Sequence, residues 1–175
     1  MERRPSPPGD HGQGRRRSAS VYKTQLLEKQ RLKHTYNVSE GQLKKAYKKA
    51  AASDGSTGDN LVNLLETRLD AAVYRMGFAK TIFAARQYVA HGHFSVNGTR
   101  CFTPSIQLRV GDEVVVREKS KNHVQMVEAL SSSPACPEYY AVEKAKLSGK
   151  LVAAPLRDQI PLHLNIQLIV EYYSR

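Results

Sequence analysis

The sequence predicts an α+β fold in which a small helix-and-sheet unit is inserted into a helical domain. Three observations carry this expectation. Apolar residues recur at three-and-four spacing through most of residues 20–91, Asn97-Gly98 separates two short runs of strand character ahead of a Val-rich strand, and an amphipathic segment closes the chain. The boundaries drawn from these patterns are a basic disordered arm at 1–19, a helical domain at 20–64 completed by 160–175, the inserted unit at 65–130, and a loosely patterned connection at 131–159.

The arm holds five arginines among Pro, Gly and Ser, with Arg15, Arg16 and Arg17 consecutive. Such a stretch has too little apolar surface to fold alone and is expected to order on a polyanion. Ser20 is placed to cap a helix reaching about Thr35, and Ser39 with Gln42 has capping-box spacing ahead of a second helix ending near Ala52. In that second helix Leu43, Ala46, Tyr47 and Ala50 form a packing face. Lys44, Lys45, Lys48 and Lys49 form a cationic one, with few carboxylates interleaved among them.

After the break at residues 54–58, Thr57 or Asp59 is expected to cap one long helix. Leu61, Leu64, Leu65, Leu69, Ala72, Val73 and Met76 give it an apolar stripe, with Arg68 and Arg75 on one edge. Gly77 ends it. Thr81 caps a shorter helix that turns Ile82, Ala85, Tyr88 and Val89 inward and leaves Arg86, Gln87 and His91 outside, and Gly92 closes it. Strands at Phe94–Val96 and 100–103 then flank the Asn97-Gly98 turn, Pro104 stops the second, and 113–117 forms a third. A helix follows near 121–130, and Asn165 caps a terminal one bearing Ile166, Ile169, Val170 and Tyr173. A terminal amphipathic helix needs a surface to cover, and the N-terminal helices supply the nearest one.

With 175 residues the chain can bury roughly 70% of its unfolded surface. The N-terminus has no apolar signal-peptide core, and no apolar run nears the length of about 20 residues that a membrane helix requires. Two cysteines, Cys101 and Cys136, are too few for a disulfide framework or a four-cysteine zinc site. The expectation is a cytosolic protein without metal, cofactor or membrane partner. A net charge of +11 points to a polyanion, and its distribution is uneven: residues 1–50 hold 13 Lys or Arg against 4 acids, and the remainder 14 against 12.

Motifs for catalysis are sparse: no phosphate-cradling glycine loop, no HExxH, no CxxC. His91 and His93 bracket Gly92 at a helix end, where hydrogen bonding to RNA, or simple surface placement, is a better reading than metal ligation.

Several runs together resemble the bacterial-type small ribosomal subunit S-four protein family. They are Asn60-Leu61, Leu65-Glu66, Arg68-Leu69-Asp70, Val73-Tyr74-Arg75-Met76-Gly77-Phe78, Ala85-Arg86-Gln87, His91-Gly92, Val96-Asn97-Gly98 and Gly111-Asp112. The flanks share the likeness through Pro7-Pro8-Gly9, His11-Gly12-Gln13, Leu27-Glu28-Lys29-Gln30, Thr57-Gly58 and Leu168-Ile169-Val170-Glu171 with Tyr173-Ser174. The resemblance implies a helical domain with an inserted S-four RNA-binding domain, in a non-catalytic constituent of the cytoplasmic small ribosomal subunit of bacterial or organellar type. It further implies a primary binder of small-subunit ribosomal RNA, at a junction in the 5′ domain, that nucleates assembly and acts as a monomer within the ribosome. Its expected neighbours are protein S-five and messenger RNA where the message enters, with a role in translational accuracy. Arg68, Arg75, Lys80, Arg86, Gln87, His91, His93, Asn97 and Arg100 match or flank the recognition surface that the resemblance implies. For Arg68 and Arg75 the alternative is a salt bridge to Glu66 or Asp70.

The likeness departs at the front. Many family members carry a further segment before Pro-Pro-Gly, in some a zinc-binding cysteine cluster, and that segment is expected to be missing here. Two rivals compete. Arg68-Leu69-Asp70 also resembles the aspartate motif of pseudouridine synthases, with Asp70 catalytic, but a synthase needs a large catalytic domain and fewer than 60 residues follow Arg117. The other is a free-standing RNA-binding stress or regulatory protein, which would associate with subunits substoichiometrically.

Overall fold

The computed structural model describes residues 20–132 and 136–174, so the expected arm with Arg15, Arg16 and Arg17 lies outside the described residues. The first two helices form as their caps dictate. Ser20 Oγ accepts the Lys23 amide at the start of α1 (Val21–Thr35), and Ser39 and Gln42 close a reciprocal capping box on α2 (Glu40–Ala51).

The long stripe expected from Leu61 to Met76 is instead two helices, α3 (Thr57–Glu66) and α4 (Leu69–Arg75), and Ser56 rather than Thr57 or Asp59 caps the first. The interruption has a visible cause. Residues 104–108 run alongside the junction like a strand: the Leu69 amide donates to Ile106 O, the Asp70 amide to Pro104 O, and the Leu108 amide to Thr67 O. Arg68 is extended, with φ −66° and ψ 146°. Backbone donors that would have continued one helix are taken by a segment distant in sequence, which periodicity cannot register.

The second half of the inserted unit is α5 (Ile82–Ala90), capped by Thr81, and a sheet. Strands β1 (Phe94–Val96) and β2 (Thr99–Cys101) pair through Asn97 and Gly98, both at positive φ, and β3 (Glu113–Val116) lies on the other side of β1. The connection at 131–159 is not merely loose. After α6 (Val124–Ser132) it supplies β4 (Tyr140–Glu143) and β5 (Ser148–Leu151), completing a five-stranded antiparallel sheet of order β2-β1-β3-β5-β4. Gly149 faces Met76, whose Sδ would lie 2.6 Å from any added Cβ. That glycine and the buried Ser148 are why β5 shows no apolar alternation.

Helix α7 (Ile166–Tyr173) returns to pack on α1 and reaches α2 and α3, so the helical part is closed from both ends of the sequence. Tyr173 stacks on Tyr47 at 4.9 Å and donates its hydroxyl to Glu40, which also accepts Lys29 Nζ at 2.9 Å. Burial would raise the Glu40 pKa, but these two hydrogen bonds together with the charges of Lys29 and Lys33 outweigh it and lower the pKa of the carboxyl from its usual value. No described helix is long and apolar enough to cross a membrane.

A buried polar hub joins the two parts. Glu66, fully buried at the end of α3, accepts from Arg75 of α4, from the Tyr36 hydroxyl after α1 at 2.6 Å, and from the Tyr139 hydroxyl ahead of β4 at 2.8 Å. Tyr140 donates to the Glu66 carbonyl. Burial and the Glu66 charge push the Tyr36 and Tyr139 hydroxyls well above their ordinary pKa, so they remain donors. Around the hub the apolar core is continuous, from Leu32, Leu43 and Ile169 through Leu61 and Leu65 to Phe78, Phe94 and Leu151.

Candidate nucleic-acid interface

A cation in contact with a carboxylate of its own chain offers little field to a polyanion, whereas one bonded only to neutral groups keeps its charge available. Sorted this way, the thirteen candidate residues among those described divide. Lys44, Lys45, Lys48 and Lys49 are exposed along α2, because Leu43 and Ala50 take the buried side and Ala46 and Tyr47 pack half-buried against the core. Among the described residues none of the four lysines forms an ion pair with a carboxylate.

Arg68 and Arg75 are corrected. Arg68 is 5% exposed and clamps Asp70 through both Nε and Nη2, at 2.9 and 2.6 Å. Arg75 turns into the hub, where burial would lower its pKa but Glu66 raises it further than burial takes it down. The expected common edge does not exist, because the helix breaks between α3 and α4, and both guanidiniums are consumed by the carboxylates named as their alternative partners. Asp70, wholly buried under Arg68, has no opening to a substrate.

Other members are partly occupied. Lys80 pairs with Glu128 at 2.7 Å, an exposed bridge. Arg86 donates to Asn37 O at 3.0 Å and lies 3.6 Å from Asp70, tying α5 to the turn before α2. Asn97 spends its side chain on Asp112 and the Glu113 amide, so it shapes the hairpin. Gln87 and His91 are exposed at the end of α5.

That end of α5 collects one cation, Arg117, that the sequence did not indicate, beside the expected Arg100. Arg100 and Arg117 both donate to the Gly92 carbonyl at 3.3 Å, and neither meets a carboxylate among the described residues. His93 lies 6.1 Å from His91 and 5.6 Å from His123, ring centre to ring centre, and its Nδ1 bonds Ser120 Oγ at 2.9 Å. Burial, then His123, His91, Arg100 and Arg117, lower its pKa. Arg117 and His123 were missed because they lie just after β3 and just before α6, far in sequence from the end of α5 that they meet. No group of three or more His, Cys, Asp or Glu among the described residues is arranged to hold a metal.

One groove links the two halves. It encloses about 390 Å³ between α2 and the 104–108 segment, and Lys45, Lys49, Gln42, Arg68, Ser105 and Gln107 line it. Gln107 is fixed there by Leu64 O and the Thr67 hydroxyl.

Comparison with known proteins matches residues 1–66 to the Ribosomal protein S4/S9 N-terminal domain and residues 67–114 to the S4 domain. Small ribosomal subunit protein uS4 of Geobacillus stearothermophilus is 44% identical over 175 residues, covering all of this chain and 88% of the relative. The proteins of that name from Syntrophomonas wolfei subsp. wolfei and Chlorobaculum tepidum are 46% and 45% identical, with 85% and 87% of the relatives covered. The chain belongs to the uS4 family of small ribosomal subunit proteins. That family is structural rather than enzymatic, its bacterial members are cytoplasmic, and its S4 domain is an RNA-binding domain. The boundary between the two matched domains, at 66/67, falls on the Glu66 hub and the break between α3 and α4.

Proposed function

We propose that the chain is a primary binder of small-subunit ribosomal RNA, gripping a junction of the 5′ domain and nucleating subunit assembly. The observation that carries the reading is the α2 lysine row, free of carboxylate partners among the described residues and bordering a groove whose opposite wall belongs to the S4 domain. Folded RNA presents dense phosphate and a shallow minor groove, and a face with lysines on one wall and the fixed Gln107 amide on the other suits recognition of shape. Arg15, Arg16 and Arg17 would add charge from the arm. In the assembled particle the protein would act as a monomer beside protein S-five and the passage by which messenger RNA enters, contributing there to accuracy.

Titration of a 5′-domain transcript tests the electrostatic core of this reading. With about six to ten phosphate contacts, affinity falls by roughly three to five powers of ten between about 50 and 200 mM salt, using the duplex-DNA relation. A nearly flat response overturns it. Sedimentation separates a subunit component from a free regulator: one-to-one association surviving a high-salt wash is expected, and substoichiometric, salt-labile association favours the regulator.

A further inference from the structure

Gly92 ends α5 at φ +71°, and a Cβ there would lie 2.5 Å from a Phe102 ring carbon and 2.7 Å from Arg100 Nε. The end of the hairpin is therefore seated directly on bare backbone. Arg100 is pinned by Nε to Gly92 O and by Nη2 to His91 O, and its guanidinium carbon lies 4.2 Å from the centre of the Phe102 ring. Phe102 remains 51% exposed and is no part of the apolar core. A large aromatic ring is thus held half in solvent, backed by a cation that has kept its charge, beside His91 and His93.

Stacked this way the ring has lost its freedom before any ligand arrives, which removes an ordering cost from binding. Unpaired bases of folded RNA are held by stacking on aromatic rings and guanidinium planes, and each such nucleotide carries a phosphate that Arg100 and the His91 ring would face. We propose that Phe102 and Arg100 form a stacking platform for one unpaired nucleobase of the bound ribosomal RNA, with Arg100 and His91 facing its phosphate. The proposal rests on the RNA-binding reading above and adds to it a residue, Phe102, outside the cationic set.

The chain contains no tryptophan, so F102W introduces a single fluorescent reporter at the platform. With the 5′-domain transcript, F102A is expected to weaken binding about tenfold while leaving the salt slope unchanged, because stacking releases no counterions. F102W restores affinity, F102L does not, and the introduced indole is quenched at saturating RNA. Unaltered affinity of F102A, full restoration by F102L, or an unquenched indole in bound F102W overturns the platform while leaving RNA binding intact. Absence of binding by the unaltered protein instead overturns the RNA-binding reading and the platform with it. Because Phe102 is exposed and outside the core, circular dichroism of F102A should match that of the unaltered protein.

Discussion

At the scale of single residues, the difference between charge and available charge decides what each cation does. Arg75 faces a carboxylate that no water reaches, so R75A strands Glu66 as a buried anion with only hydroxyl donors. The expected loss is about 3–5 kcal/mol of folding stability. Chemical denaturation reads it directly, and a cost below about 1 kcal/mol would show the hub to be dispensable. The double variant E66Q/R75M, which removes both charges, should regain part of the loss. His93 works in the opposite sense. Its pKa is depressed, so the folded state prefers the neutral ring, and stability present above the ordinary value of 6.5 is lost as pH falls through the lower folded value. The free protein should therefore melt at lower temperature as pH drops below about 6.5, with H93Q flattening the profile. If bound RNA places a phosphate among His91, Arg100 and Arg117, its charge raises the His93 pKa, so RNA binding should take up protons and tighten over that interval. If H93Q leaves both profiles unchanged, His93 is not the titrating group.

Among elements, α2 has the clearest division of labour. One face is buried through Leu43 and Ala50, and the four exposed lysines form no ion pair among the described residues. Replacing Lys44, Lys45, Lys48 and Lys49 with Gln should leave the melting temperature nearly unchanged and lower the salt slope of RNA binding by about 0.9 for each phosphate that is no longer neutralised. An unchanged slope would make the row ordinary solvated surface. The helix was legible because every determinant is local: a capping box, a 3.6-residue apolar period and a run of lysines. The α3–α4 pair was not, since the break is imposed by residues 104–108 through hydrogen bonds that no window of sequence contains. β4 and β5 were hidden for a related reason. A strand whose buried positions are Ser148, Gly149 and Leu151 reads as irregular until Met76 is seen filling the space above the glycine.

For the whole molecule, the class of fold and the return of the C-terminal helix were readable, because an amphipathic helix without a partner states a requirement that only another apolar face can meet. The insertion follows from the same reasoning. The family resemblance, rather than composition, assigned Arg68 and Arg75 to the recognition surface of the S4 domain. Their side chains hold the molecule together, and among the described residues the cations there without a carboxylate partner include Arg100, which the resemblance also named, and Arg117, which it did not. A match in residue type does not reveal which way a side chain points when its partner lies on another element. Glu66 and Asp70, a short step apart in sequence, decide between the two outcomes.

The hub has a further consequence for how the protein comes into being. Tyr139, Tyr140 and α7 are synthesised well after α1–α3, which they close. A nascent chain therefore exposes its four α2 lysines while the half-built helical part still lacks its cover and Glu66 lacks two of its donors. Attraction for polyanions precedes the shape that makes it selective.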